Sequence, residues 1–288
     1  MIKTATKHYL LKGKGIYCIA GICKNSGKTS FLNYLIQHNT GKRLGILTTG
    51  RDGETKDCLF GTPKPQVKLP PDTLFTTDTA NIDRLGAAVE VLDKLPFQAG
   101  SKALWLVNSL RKIETEIIGP TSAAAQLKTA SILQSSGAEV VLIDGSLDRK
   151  SVVLNAGIKG VFLIAGGSYG SISKILAELS HLVYLSSISL LKDKKLFPNQ
   201  DCISLYSKGL WKDTEWKSLL GNELALTDAL ITAKADKLYL PTAITDAVLN
   251  ALKPALKDIS EVIVKHPLHL HLTMNNLEYL QSLGKLYA

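Results

Sequence analysis

Long apolar runs are missing from this chain, and so are paired cysteines. No stretch approaches the ~20 consecutive apolar residues that a membrane-spanning helix needs, so no span is expected. The opening residues, MIKTATKHYLLKGKG, hold no apolar core followed by a small-residue cleavage site, so no secretory signal is expected. The four cysteines (Cys18, Cys23, Cys58 and Cys202) form no CxxC pair. They read as free thiols in a reducing cytoplasm rather than as a disulfide framework. Aromatic residues are scarce, at 6%, and none interleaves with a basic stripe. The net charge of +9 favours any polyanion. The lysines are nevertheless spread along the chain, with one short run at Lys192, Lys194 and Lys195. A solvated lysine-rich surface plus one phosphate site accounts for the charge better than a nucleic-acid partner does.

What is present is an ordinary globular composition. The 288 residues, 45% hydrophobic and 20% charged, suffice for one large α/β domain or for one with a smaller companion. A chain of this size buries enough surface to fold without a disulfide or metal staple.

Strand and helix patterns alternate nearly throughout. Residues 15–20, 43–49, 102–107, 139–143 and 160–164 are apolar, β-rich runs. Helical spacing is expected from Thr29 onward and over 82–92, 122–134 and 172–182. Beyond the weak join at 198–201, the alternation continues with strands at 202–205, 237–240 and 261–264 and helices at 227–233 and 243–256. This pattern predicts an α/β protein with a mainly parallel sheet flanked by helices. The expected division is a larger α/β domain over 1–198 and a C-terminal α/β extension, packed on the same core, over 199–288.

The segment Gly21-Ile22-Cys23-Lys24-Asn25-Ser26-Gly27-Lys28-Thr29 sits between the first strand and the first helix. That is the context a Walker A phosphate loop requires. Backbone N–H groups must converge on a phosphate, which demands small residues at tight turns. A lysine must reach the terminal phosphates, a hydroxyl must ligate Mg²⁺, and the helix N-terminus adds partial positive charge. Gly21, Lys24, Asn25, Ser26, Gly27, Lys28, Thr29 and Ser30 are the candidate nucleotide-binding residues, with Lys28 acting on the developing phosphate charge and Thr29 on the metal. The two glycines are separated by five residues, one more than in the common pattern. Lys24 receives no individual role.

Glu139-Val140-Val141-Leu142-Ile143-Asp144-Gly145 ends an apolar strand on an aspartate. Asp144 is the candidate second Mg²⁺ ligand, in the manner of a Walker B carboxylate; the alternative is a cap for the turn at Gly145. Asp148 and Arg149 either sense the γ-phosphate or pair with each other. After the second strand, Asp52 and Glu54 either serve catalysis, by ligating metal or orienting an attacking water, or decorate a polar hairpin.

The order KNSGKTS, TTGRDGE, Lys64-Pro65 and IDGSLDRKS resembles the small P-loop subunit of lysine 5,6-aminomutase reactivase over residues 15–167. The loop spacing resembles, more distantly, dethiobiotin synthetase and its relatives in the signal-recognition-particle, MinD and BioD class. The reactivase resemblance implies a Rossmann-like P-loop NTPase fold and ATP with Mg²⁺ as cofactors. It implies slow ATP hydrolysis and a protein partner, either a second reactivase subunit or a cobalamin-dependent target enzyme. It also marks residues 24–29, 51–54 and 144–149 as family motifs. The dethiobiotin-synthetase resemblance implies instead a ligase or kinase acting on a small carboxylate. A nucleotide sensor without turnover is a third reading, and a homodimer is admitted.

The remaining candidates are weaker. His266, His269 and His271 form either a metal-binding edge or a polar strand end. Ala233-Lys234-Ala235-Asp236 lacks the leading Asn or Thr of a guanine motif, which favours ATP over GTP. Trp105, Trp211 and Trp216 read as packing residues, and Cys23 as a small filler in the loop or a thiol activated by the helix end.

Overall fold

The computed structural model describes residues 11, 13–23, 25–39, 41–52, 66–146, 157–189, 191 and 201–288, with the backbone alone at 51, 52 and 146. The chain divides into two compact units, Met1–Leu176 and Ala177–Ala288. The division falls inside a helix, Ile172–Ser187, ahead of the 198/199 join expected from composition.

The first unit runs β1 (Gly15–Gly21), α1 (Lys28–Gln37), β2 (Leu44–Thr48), β3 (Arg51–Asp52), β4 (Val67–Leu69), β5 (Leu74–Asp78), α2 (Thr79–Leu85), β6 (Val89–Ala99), β7 (Lys102–Ser109), β8 (Ile113–Thr115), β9 (Ile117–Ile118), α3 (Ala123–Ser135), β10 (Val140–Ser146) and β11 (Ile158–Ile164). Seven strands form one sheet in the order β11-β1-β10-β2-β5-β7-β6. The five strands from β11 to β5 are parallel; β7 runs antiparallel to β5 and β6. The expected mixed α/β class and mostly parallel sheet are therefore present.

Both faces of β1, β10, β2 and β5 are buried, which explains the apolar runs of the first three, while the edge strand β11 is only half-buried. Tyr17, Ile19, Ile46 and Leu142 pack with Leu32 and Leu35 of α1 on one face. Cys18, Leu47, Val141 and Ile143 pack with Ala130 and Leu133 of α3 on the other. Alternate residues of each strand thus feed alternate cores, as a period of two dictates. Each fully buried Leu or Ile contributes about 1.5–3 kcal/mol. Helix α3 starts at a serine cap: Ser122 Oγ accepts from the Ala125 backbone N–H at 3.2 Å.

The helix expected over 82–92 is only partly present. Helix α2 stops at Gly86, and the chain becomes β6 from Val89. Val89 and Val91 pair with Ser109 and Val107 of β7. The β-branched side chains and the available hairpin partner override the local helical spacing.

The second unit takes in the greater part of α4 (Ile172–Ser187), then β12 (Ser204–Ser207), β13 (Leu210–Asp213), α5 (Glu223–Ala233), β14 (Lys237–Leu240), β15 (Ile244–Thr245), α6 (Asp246–Leu252), β16 (Glu261–Val264), β17 (Leu270–His271), α7 (Met274–Leu283) and β18 (Lys285–Tyr287). Its sheet has the order β13-β12-β14-β16-β18. Strands β14, β16 and β18 are parallel, and β12 is antiparallel to its neighbours. The helix expected over 243–256 is shorter, because Thr245 caps it by accepting from the Val248 N–H and the chain before it pairs as β15. Helix α7 and strand β18 escape sequence reading, since only a narrow stripe of the helix (Leu277, Leu280) is buried. Among the described residues, no helix is long and apolar enough to cross a membrane.

Candidate functional site

The candidate loop leaves the carboxyl end of β1. Its start is pinned to the edge strand, where the Ile22 N–H donates to the Ile164 carbonyl at 3.1 Å. Asn25 and Gly27 are left-handed, with φ of 57° and 92°. Asparagine tolerates that region, and glycine occupies it without strain. Two left-handed residues flank Ser26, and left-handed residues of this kind are a component of the turns in which backbone N–H groups face an anion.

Ser26 is 9% exposed, and its Oγ has no hydrogen-bond partner among the described residues. This hydroxyl and the Lys28 stem both lie against Gly21. A Cβ on Gly21 would collide with Ser26 Oγ and stand 2.9 Å from Lys28 Cγ and Cδ. The glycine is therefore required by close approach, and the Lys28 side chain runs back over the loop.

Helix α1 begins at Lys28 with Gly27 as its cap residue, with no capping side chain and no acidic residue in its first turn. Its first hydrogen bond runs from the Phe31 N–H to the Gly27 carbonyl. The positive end of a ten-residue helix thus faces the loop. Thr29 stands half-buried in that turn and Ser30 is exposed.

Asp144 lies one strand away. It is 2% exposed, near the carboxyl end of β10, paired with Ile19 of β1 and Thr48 of β2. Two residues earlier, Leu142 packs on the α1 face, so the Asp144 side chain stands on that same face. The Asp144 carbonyl accepts from the Thr49 N–H at 2.9 Å and from Thr48 Oγ1 at 3.1 Å. Burial, with the Asp144 charge as a second cause, pushes the Cys18 thiol up to about 12. Cys18 is therefore an inert core thiol.

A third element was not anticipated from the sequence: the turn after β11. A Cβ on Gly166 would stand 2.7 Å from the Ser26 Cα. Ser168 Oγ lies 3.3 Å from Cys23 Sγ, and the Cys23 thiol points at the Gly166 carbonyl at 4.0 Å. The two glycines Gly166 and Gly167, directly after an apolar strand, were the available signal.

The structure thus brings together Gly21, Ser26, Gly27 and Lys28, and sets Asp144 on the α1 face of the strand beside β1. Lys24, Glu54, Asp148, Arg149 and Lys64-Pro65 lie outside the described residues. Asp52 is described through its backbone alone, which pairs with Ile117 of β9. The guanine-like tetrapeptide is the exit turn of α5: Lys234 is its left-handed cap residue, and Asp236 Oδ1 accepts from Ser260 Oγ at 2.6 Å. Trp105 and Trp211 are packing residues, half-buried against their cores. Among the described residues, no three His, Cys, Asp or Glu side chains gather as a metal site would require. No protein-family model, curated protein or solved structure matches the chain.

Proposed function

We propose that this chain binds ATP with Mg²⁺ through the loop 21–29 and hydrolyses it slowly, as a P-loop nucleoside triphosphatase coupled to a protein partner. One observation carries the reading. The uncapped N-terminus of α1, the buried hydroxyl of Ser26 and the folded-back stem of Lys28 converge at the end of β1, beside the strand that carries Asp144.

The residues present fit the ligand. A triphosphate supplies the anionic oxygens that an uncapped helix end and a buried, unpartnered hydroxyl call for. Lys28 would neutralise charge on the terminal phosphates, and Thr29 and Asp144 would hold Mg²⁺. The metal, when bound, adds charge neutralisation at the bridging and terminal oxygens. In hydrolysis, water attacks the γ-phosphorus and the bond to the β–γ bridging oxygen breaks, releasing ADP and phosphate. This chain's contribution is positioning and electrostatics: the backbone N–H groups and Lys28 hold the phosphate chain in line. Asp52 and Glu54 are the proposed groups to orient the water.

The coupling to a partner rests on the resemblance to the reactivase subunit. In that role, the difference between the ATP and ADP states would be transmitted to a cobalamin-dependent enzyme or a second subunit. Isothermal titration of the wild type and of Lys28→Ala with ATP and MgCl₂ tests the site. A loss of at least about tenfold in affinity, or ~1.4 kcal/mol, is expected for the variant. Equal affinity in both proteins, or binding in neither, would overturn the reading.

A further inference from the structure

In the second unit, two parallel strands, β14 and β16, lie side by side, and the region beyond the carboxyl ends of such strands is where open α/β sheets take ligands. The segments leaving these strands run side by side, because Ile244 pairs with Leu270 and Thr245 with His271. Thr242 lies two residues before Ile244, and His269 one residue before Leu270. Both carry a buried polar atom, Thr242 Oγ1 and His269 Nδ1, with no hydrogen-bond partner among the described residues. Buried polar atoms in native proteins are almost always paired with protein, water or ligand.

We propose that this strand-end region is a second binding site, taking the oxyanion of a small molecule, a phosphate or carboxylate group, on Thr242 Oγ1 and His269 Nδ1.

The surrounding charge decides the class of ligand. Lys265, His266 and His271 all stand close enough to His269 to disfavour its protonation, after burial itself. Of these, Lys265 carries the full positive charge at neutral pH, which favours an anion over a cation. One acidic group offsets it: Asp201 Oδ1 accepts from Lys265 Nζ at 2.7 Å. The tautomer of His266 is set, since its Nδ1 accepts the Leu268 N–H at 3.1 Å. Its proton is therefore on Nε2, making it a donor. The ring centroids of His266 and His269 are 6.3 Å apart. A metal is disfavoured, because no third ligand joins the histidines among the described residues. A proton on His269 Nδ1, together with the Thr242 hydroxyl, gives two donors for one oxyanion.

The test is an imidazole NMR titration of the full chain, with the His269 signal assigned by its loss in His269→Asn. Inorganic phosphate and, separately, sodium acetate are added at ionic strength matched with NaCl. A saturable shift of the His269 signal is expected with one or both anions. Phosphate alone identifies a phosphate group, and acetate alone a carboxylate. Thr242→Val should weaken the response at least tenfold, Thr242→Ser should retain it, and Lys28→Ala should leave it intact. The proposal fails if neither anion moves the His269 signal, which would leave a bridging water as the partner of both atoms. It fails equally if Thr242→Val responds like the wild type, or if the response vanishes in Lys28→Ala and so belongs to the first unit's loop.

Discussion

Gly166 lies so close to Ser26 that a Cβ at position 166 would stand 2.7 Å from the Ser26 Cα. The contact joins two stretches that are far apart in sequence. It closes the side of the candidate loop opposite β10, since β11 and β10 flank β1 on its two edges. The shape of the loop therefore depends on a turn that belongs to a different strand.

Gly166→Ala should displace Ser26 and distort the loop. The expected cost is about 1–3 kcal/mol of stability, typical of overpacking, with a fall in ATP affinity. Gly167→Ala is the control, because nothing lies within 4 Å of a Cβ there. Thermal unfolding and nucleotide titration of the two variants should separate them; matching behaviour would show that the Gly166–Ser26 contact does not shape the loop.

Asp144→Asn should remove the Mg²⁺ dependence of nucleotide binding while leaving metal-free binding nearly unchanged. The amide keeps the size of the carboxyl group and loses the charge proposed to hold the cation. Titrations with and without MgCl₂ measure this directly. An unchanged Mg²⁺ effect would assign Asp144 to the strand end alone.

Leu35→Ala should destabilise the first unit by about 2–5 kcal/mol, since Leu35 is fully buried where α1 meets the sheet. Urea unfolding followed by the fluorescence of Trp105, the one tryptophan of that unit, reads the loss. A change under 1 kcal/mol would contradict the packing described for α1.

Acid should weaken the second unit through Asp246. Its carboxylate is held below the ordinary carboxylate range, first by the Asn276 side chain and next by the Thr273 backbone N–H. A depressed folded value gives stability that is fully present above the unfolded pKa of about 3.9 and is lost as pH falls through the folded value. Asp246→Ala should cost about 1–2 kcal/mol at neutral pH and flatten the acid limb of the stability profile. An unaltered acid limb would rule Asp246 out as its source.

Cys18 should resist alkylation in the folded chain. At pH 8 a thiol pushed up to about 12 is almost wholly protonated, and this one is buried. Cys23, half-buried, should label before Cys18. Peptide mapping after brief iodoacetamide treatment distinguishes the two, and early labelling of Cys18 would contradict its place in the core.

The carboxyl-terminal helix and strand were only weakly marked in the sequence, for a physical reason. Only Leu277 and Leu280 among the apolar residues of α7 are buried, and β18 is three residues long. Met274, Leu277, Leu280 and Leu283 recur at every third position, so the helix leaves a short periodic signal, whereas β18 is too short to leave one. The hairpin at Val89 misled in the opposite direction, since local spacing suited a helix and only the neighbouring β7 made a strand the better partner.

By itself the sequence determined the strand–loop–helix unit at residues 15–37, the apolar strand ending near Asp144 and the α/β class. These are local: they follow from period, turn residues and strand composition. The tertiary structure alone decided that β10 lies beside β1, that Asp144 shares the α1 face, and that Gly166 presses on Ser26. It alone set Thr242 beside the His269 segment. Strand order and register are chosen by long-range packing of two buried sheet faces, and no local pattern encodes which strands become neighbours.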